Sequence, residues 1–85
     1  MITDTINKDW LIKTNELADL YDAGEKDISE FTIDQLHYLV YWNWGYSGPV
    51  SVPETKAAEA ELIRRGNPFD VDYAVSIIDI TEELY

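Results

Sequence analysis

Hydrophobic and polar positions divide the chain into four segments, each opened by its own helix-start signal. In the first, residues 8–22, apolar residues recur at the spacing of one helix face: Trp10, Leu17, Leu20 and Tyr21. Asn7 is a favourable N-cap for this segment. Gly24 is a favourable stop, because glycine readily adopts the left-handed conformation that follows many helices. The pattern therefore predicts a helix over residues 8–22.

The second segment, residues 33–44, has the clearest start signal in the chain. Thr32 and Gln35 have the spacing of a capping box, in which each side chain bonds the backbone N–H of the other residue. The apolar residues that follow surround the helix: Ile33, Leu36, Tyr38, Leu39, Val40, Tyr41, Trp42 and Trp44. A helix that is apolar on all sides is usually buried, so we expect it to be central. Gly45 is expected to end it, with a loop over residues 46–50.

The third segment, residues 52–65, again begins with a capping signal. Ser51 and Glu54 have the capping-box spacing, and Pro53 falls in the first turn, where its missing N–H costs little. Positions 64–66 read Arg-Arg-Gly. The two arginines complement the negative end of the helix dipole, and the glycine is suited to end the helix. We predict a third helix here.

The fourth segment, residues 71–84, fits two structures. Asp70 can cap a helix, and Phe69, Tyr73, Ile77, Ile80 and Leu84 keep a helical period. Residues 71–77 also alternate as a strand does and are rich in β-branched side chains. A strand would need a partner from residues 46–52, and an isolated pair of strands is marginal. We therefore favour the helix.

These segments predict an all-α fold, a compact bundle of about four short helices. The alternative is an α+β fold with a short strand pair involving residues 46–52 and 71–80. The length of 85 residues corresponds to a single domain, 1–85. Hydrophobic residues make up 46% of the chain and aromatic residues 13%, which is enough apolar material for a core.

The net charge of −11, from 17 acids against 6 bases, changes the functional expectations. A surface of this sign repels nucleic acid and anionic membranes, so neither is an expected direct partner. It attracts basic proteins and speeds their encounter. The absence of cysteine fits a reducing cytosol, and no secretory signal or membrane-spanning run is recognised, so we expect a cytoplasmic location.

Residues that could support catalysis are few. The chain has one histidine, His37, and no cysteine, so the sequence offers no transition-metal ligand set. Asp34 and Tyr41 lie one turn on either side of His37 and could orient it as a general base, which leaves a small enzyme as the least favoured hypothesis. No glycine-rich phosphate loop is present. We expect no catalytic residue, no cofactor and no metal.

The uncharged stretch of residues 35–53 is unusually aromatic. Most of its rings are expected in the core, but those of one helix and the loop after it cannot all point inward. Trp44 and Tyr46, next to Gly45 and Gly48, are the pair that we expect to be exposed. Exposed Trp and Tyr side chains are typical anchors of protein interfaces, so we predict that these two bind a partner.

Acidic residues share helix faces at two places. Residues 1–34 hold nine acids against three bases, and residues 66–85 hold five acids and no base. Acids one turn apart repeat about every 4.5–6 Å along a helix, a spacing comparable to the phosphates of a nucleic-acid strand. The acids predicted to bind a partner are Glu16, Asp19, Asp22, Asp79, Glu82 and Glu83.

Small, acidic, helical chains of this kind resemble two groups of proteins. One comprises phage-encoded inhibitors that mimic DNA toward restriction, CRISPR or repair proteins. The other comprises the acidic immunity proteins that neutralise nuclease bacteriocins. Their typical Tyr-Tyr-Pro segment is absent, since the nearest aromatic run here is Tyr-Trp-Asn-Trp at 41–44. The resemblance implies an anti-defence inhibitor, such as an anti-CRISPR protein, that binds a basic nucleic-acid-binding protein.

A second interpretation gives the charge no role beyond keeping the protein in solution. The chain would then be a small interaction module, or a homo-oligomer formed through its aromatic stretch. The sequence does not distinguish a monomer from a small homo-oligomer.

Overall fold

The computed structural model describes residues 2–47 and 53–84, with side chains for 2–42 and 53–84. The described residues form four α-helices: α1 (Lys8–Asp22), α2 (Ile33–Ser47), α3 (Pro53–Arg64) and α4 (Val71–Glu82). A 3-10 turn, Ile28–Glu30, precedes α2. No strand occurs among the described residues, and residues 71–80 are helical. The all-α prediction is confirmed and the strand-pair alternative is wrong.

The helices α1, α2 and α4 begin where their capping residues predict. The Asn7 side chain accepts a hydrogen bond from the backbone N–H of Trp10 at 2.9 Å. Both bonds of the Thr32–Gln35 capping box are formed, at 2.8 and 3.1 Å. Asp70 accepts from the first turn of α4. The predicted Ser51–Glu54 box includes Ser51, which lies outside the described residues.

Two of the glycines follow the ends of helices, and one lies inside a helix. Gly24 and Gly66 follow α1 and α3 with φ of 80° and 77°, the left-handed conformation expected of stops. Gly45, however, lies inside α2, which continues to Ser47. Glycine inside a helix costs only about 1 kcal/mol relative to alanine, so its presence alone does not end one. The prediction of a helix end at Gly45, and of a loop from residue 46, is therefore wrong.

The helix α2 lies at the centre of the bundle, as its apolar surface predicted. Antiparallel to it, α1 places Trp10 against Tyr38, with ring centroids 5.5 Å apart, and Tyr21 against Phe31. Every residue from 34 to 40 is buried. One core cluster joins α2 to α3: Phe31, Leu36, Leu39, Val40, Ala58 and Leu62. A second joins it to α1 and α4: Trp10, Leu11, Tyr38 and Ile77.

The relative directions of the helices decide which charges meet. Tyr73, near the start of α4, bonds Asp34 near the start of α2, and Ile77 packs in the same cluster as Tyr38. Thus α4 runs parallel to α2 and antiparallel to α1. Leu84 consequently lies beside Lys8, so the end of α4 meets the start of α1. The end of α1 lies at the opposite end of the bundle.

Candidate functional site

His37 is buried, and each of its ring nitrogens has a backbone partner. It is 2% exposed. Its Nδ1 lies 2.9 Å from the carbonyl oxygen of Ile33, and its Nε2 accepts the backbone N–H of Asp70 at 3.2 Å. These partners fix the neutral tautomer with the proton on Nδ1. Neither Asp34 nor Tyr41 is its hydrogen-bond partner among the described contacts. With both ring nitrogens engaged, His37 has no nitrogen with which to take a proton from a substrate.

Asp34, one turn before His37 in the same helix, is a fully buried carboxylate that binds the N-terminal segment. Its Oδ2 accepts the backbone N–H groups of Thr3 and Asp4 at 3.0 and 2.7 Å. Its Oδ1 accepts the hydroxyl of Tyr73. No basic side chain forms an ion pair with it among the described residues. Hydrogen bonds alone therefore compensate its burial, as the cost of an unpaired buried charge requires.

Asp4 extends this network to the surface of α1 and α2. Its Oδ2 accepts the indole N–H of Trp10 at 2.9 Å and the hydroxyl of Thr32 at 2.6 Å. Burial raises the pKa of Tyr73 well above its usual range, and donation to Asp34 raises it further. The two acids together attach the N-terminal residues to α1, α2 and α4. Their role is to hold the fold together.

A pocket of about 400 Å³ opens beside His37 and Tyr73. Its lining residues are Thr3, Ile33, His37, Gly66, Asn67, Pro68, Asp70 and Tyr73. The Thr3 and Tyr73 hydroxyls already bond Asp34. A polar ligand would have to break these internal bonds before it could use the same groups. The chemistry of the lining does not favour a reaction or ligand site here.

The C-terminal end of α3 carries the densest set of ionic contacts. Glu61 is 6% exposed and accepts from Arg64 at 2.8 and 2.5 Å and from Arg65 at 2.7 Å. Arg65 also donates to the backbone carbonyls of Phe31 and Ser29 at 2.7 and 2.9 Å. Hydrogen bonds from the two guanidinium groups lower the pKa of Glu61 to about 2. Through its bonds to Phe31 and Ser29, Arg65 links the end of α3 to the residues that directly precede α2.

The acids predicted to bind a partner are exposed, and they form two separate groups. Glu16, Asp19 and Asp22 occupy the second half of α1. Asp79 and Glu82 lie in the last turn of α4, and Glu83 is its C-cap. The side chains of Trp44 and Tyr46 lie outside the described residues.

The two acidic groups do not merge into one patch. Since the end of α4 meets the start of α1, the acids of α1 lie roughly 12–21 Å further along that helix, at 1.5 Å per residue. The two groups thus lie towards opposite ends of a molecule that measures 29 × 25 × 25 Å.

Five of these six acids, all except Glu16, lie in or directly after the last turn of their helix, where they oppose the helix dipole. The last turns of α1 and α4 contain no basic residue, whereas that of α3 contains Arg64. A helix carries partial negative charge at its C-terminal end, so acids there are repelled. The four ion pairs of the described residues engage Asp9, Glu30 and Glu61. None of the six predicted acids takes part in an ion pair among the described residues.

The described residues contain no group of three or more His, Asp or Glu side chains that could hold a metal ion. No helix among them is long and apolar enough to cross a membrane. Comparison of the chain with protein-family models, curated proteins and solved structures finds no match. The candidate site is accordingly defined by the geometry and charge of this chain.

Proposed function

We propose that this protein is an inhibitor that mimics nucleic acid and blocks a basic nucleic-acid-binding protein. The targets that fit are a defence nuclease, a CRISPR effector, or a repair or transcription protein. The chain would then be of the phage or mobile-element type and act in the cytoplasm. The observation that carries the proposal is the position of the exposed acids, at the C-terminal ends of α1 and α4, where they oppose the helix dipole.

This position favours the proposal over a purely solubilising role for the charge. A solubilising acid works at any exposed site, including a first helical turn, where the dipole favours it. An acid in a last turn costs about 0.3–1 kcal/mol instead. Repulsion between acids one turn apart adds to this cost, as for Glu16 and Asp19. In a small domain such costs are a notable share of a total stability of about 5–15 kcal/mol.

The geometry of the acids suits a phosphate-binding surface. Glu16 and Asp19 are about 4.5 Å apart along the axis of α1, and Asp79 and Glu83 are about 6 Å apart along α4. Phosphates of one DNA strand follow each other at about 3.4 Å. A basic groove that binds successive phosphates would therefore meet carboxylates at a similar spacing. The group on α4 lies beside the start of α1, and the other group lies in the second half of α1. The two groups would therefore contact separate parts of such a groove.

The distribution of basic residues supports the same conclusion. Lys13, Lys26, Arg64 and Arg65 are all engaged with Asp9, Glu30 or Glu61. Lys8 is the basic residue that lies beside the end of α4. Four of the six basic residues are thus paired with acids outside the two groups, while Lys8 partly offsets the charge of the α4 group.

The second candidate is an interaction module or homo-oligomer, and one observation favours it. Trp42 is 37% exposed and stacks on Tyr38, with ring centroids 5.7 Å apart, at the edge of the aromatic stretch. An exposed indole on a packed ring is a typical interface anchor. Light scattering over a range of concentrations tests it. A monomer at all concentrations contradicts a homo-oligomer, and self-association that Trp42→Ala abolishes supports it.

The inhibitor proposal is tested by capture of partners from bacterial lysate on the tagged protein, eluted with duplex DNA. We expect a nucleic-acid-binding protein that DNA displaces. The double variant Asp19→Lys/Glu82→Lys should lose it. The double variant Glu25→Lys/Glu59→Lys, which changes the net charge equally at exposed positions outside the two groups, should keep it. A captured protein that DNA does not displace, or equal loss with both variants, contradicts the proposal.

A further inference from the structure

The start of α4 is attached to α2 through a ring nitrogen that accepts a hydrogen bond only while the ring is neutral. The backbone N–H of Asp70, the N-cap of α4, donates to Nε2 of His37 at 3.2 Å. On its other side the ring donates from Nδ1 to the carbonyl oxygen of Ile33, on α2 itself. A protonated imidazole carries N–H groups on both nitrogens and accepts no hydrogen bond. Protonation of His37 therefore keeps the bond within α2 and sets two donors against each other at Asp70.

Few other bonds hold residues 66–70, the linker between α3 and α4, against α2. Its first two residues donate their backbone N–H groups to carbonyl oxygens at the end of α3. Among the described hydrogen bonds, the one from Asp70 to His37 joins the linker to α2. The next bond to α2 comes from Tyr73, in the first turn of α4, whose hydroxyl donates to Asp34. Loss of the His37 bond would thus free the linker while α4 stays attached at Tyr73.

The surroundings of the ring let its charge state act on the linker directly. His37 stacks on Phe69 of the linker, with ring centroids 5.5 Å apart, and lies 4.6 Å from the ring centroid of Tyr73. The ring also borders the pocket of about 400 Å³ that the linker residues help to line. Solvent in this pocket is therefore separated from Nε2 by the linker alone, and a small movement of the linker admits a proton.

Several charged groups lie on the elements that surround His37 or line its pocket. They are Asp4 of the N-terminal segment, Asp34 of α2, Asp70, Asp72 and Tyr73 at the start of α4, and the paired Glu61, Arg64 and Arg65 at the end of α3. The carboxylates of Asp34 and Asp70 accept from other donors, and neither has a described hydrogen bond to His37. Their negative charge favours uptake of a proton by the ring. Neither supplies the acceptor that the N–H of Asp70 would lose.

We propose that His37 is a pH-sensitive switch whose protonation releases the linker and the N-cap of α4 from α2. The inference concerns the conformation of this chain and does not depend on the proposed inhibitory function. The attachment needs the neutral ring, so it is present at about pH 8 and is lost as the pH falls towards about 5, the interval in which imidazoles take up a proton. Glu61, with a pKa of about 2, stays ionised throughout that interval.

Nuclear magnetic resonance on the full chain tests the switch, because the chain has one histidine. The ring ¹⁵N signals report the protonation of His37, and hydrogen exchange gives the protection factor of each backbone amide. We expect protection of the Asp70 amide to fall by about tenfold as the ring is protonated, as the loss of one hydrogen bond predicts. The amide of Trp10 is the matched control, since it donates to the Asn7 side chain, which does not titrate. Its protection should stay constant.

The variant His37→Gln assigns the effect to the ring. Glutamine offers an acceptor oxygen in place of Nε2 that does not titrate, so protection of the Asp70 amide should no longer depend on pH in this interval. A fall in the variant equal to that in the wild type would show that another group titrates, and would overturn the switch.

The wild-type titration decides the matter even where the variant does not fold. A ring that stays neutral down to about pH 5 overturns the switch, and so does a protonated ring with unchanged protection at Asp70. Equal loss of protection at Asp70 and Trp10 would mean that the whole chain unfolds, which also overturns it. A loss confined to the linker and the first turn of α4 supports it.

Discussion

The carboxylates of this protein form two groups that the fold uses in opposite ways. Asp34 and Glu61 are buried and accept several hydrogen bonds each, Asp34 from the distant residues Thr3, Asp4 and Tyr73, and Glu61 from Arg64 and Arg65 in the next turn. The acids at the ends of α1 and α4 are exposed, and no base lies in the last turn of either helix. The first group holds helices together, while the second opposes the dipoles of the helices that carry it.

This difference shows that a single net charge includes two structurally distinct kinds of acid. At the end of α3, Arg64 and Arg65 stand where the dipole favours cations and bind Glu61 at the same time. The ends of α1 and α4 could carry the same arrangement but carry acids. The buried acids Asp34 and Glu61 thus stabilise places where helices join, whereas the acids at the ends of α1 and α4 have no such role among the described contacts.

Asp34→Asn should have the largest effect on stability. An asparagine offers one acceptor oxygen and places an amide group against donors, so some of the hydrogen bonds from Thr3, Asp4 and Tyr73 are lost in a buried site. Loss of hydrogen bonds to a buried charged group leads us to expect destabilisation by about 3 kcal/mol. Urea unfolding measures it. Asp79→Asn, an exposed acid, should stay within about 0.5 kcal/mol of the wild type, and equal effects would contradict the division into two groups.

Arg65→Ala should have the next largest effect. It removes one partner of Glu61 and leaves the carbonyl groups of Phe31 and Ser29 without their donor, so we expect a loss of about 2 kcal/mol. Chemical denaturation gives the value. Arg64→Ala is the matched control on the same acid, because Arg64 makes no described hydrogen bond outside α3, so its loss should cost less. A larger cost for Arg64 would show that the ion pair, rather than the link to α2, provides the stability.

Glu61 should make stability depend on pH at the acid end. Its pKa is lowered from 4.5 to about 2, so its contribution is fully present above pH 4.5 and is lost as the pH falls towards about 2. Glu61→Gln should be less stable than the wild type at neutral pH, with the difference shrinking over that interval. Thermal unfolding at a series of pH values measures this. Glu59→Gln, exposed on the same helix, should follow the wild type, and a constant difference for Glu61→Gln would contradict the assignment.

Local signals explain why the helices could be predicted from the sequence. The caps at Asn7, Thr32 and Asp70 bond atoms two or three residues away, so their spacing is visible in the chain. The role of Gly45 was not predictable in the same way. Glycine permits a left-handed turn without requiring one, and whether the chain turns depends on its surroundings. The 3-10 turn before α2, capped by Asp27, was likewise not predicted.

The stabilising role of Asp34, and the link that Arg65 makes to the residues before α2, could not be predicted because the partners are distant in sequence. Thr3 and Tyr73 lie 31 and 39 residues from Asp34, and Phe31 lies 34 residues from Arg65. Sequence spacing pairs Asp34 with His37, one turn away, but His37 bonds Ile33 and Asp70 instead. A signal was present in Asp34 itself, an acid at the start of the central apolar helix. The exposed acids could be placed on their helices from the sequence. Whether they oppose the helix dipole depends on where α1 and α4 end, which the structure gives.

The smallest expected effect is a gain in stability rather than a loss. It therefore tests the comparison between the buried and the exposed acids most directly. Asp19→Lys and Glu82→Lys each replace an acid by a base in a last helical turn. Each should stabilise the protein by about 0.5 kcal/mol, a rise in Tm of about 2–4 °C. Calorimetry at low salt measures it. Glu59→Lys, in the middle of α3, should change Tm little, and the gains should diminish at high salt because exposed charges are screened.

A gain in stability from these changes, together with loss of a captured partner, would mean that the native acids are retained for binding at the expense of stability. Active surfaces commonly show this trade-off. If Asp19→Lys and Glu82→Lys stabilise the protein and the partner still binds with full affinity, the acids at the helix ends serve only solubility. If they lower Tm, the helix ends are compensated by charges elsewhere, and the contrast with the end of α3 does not hold.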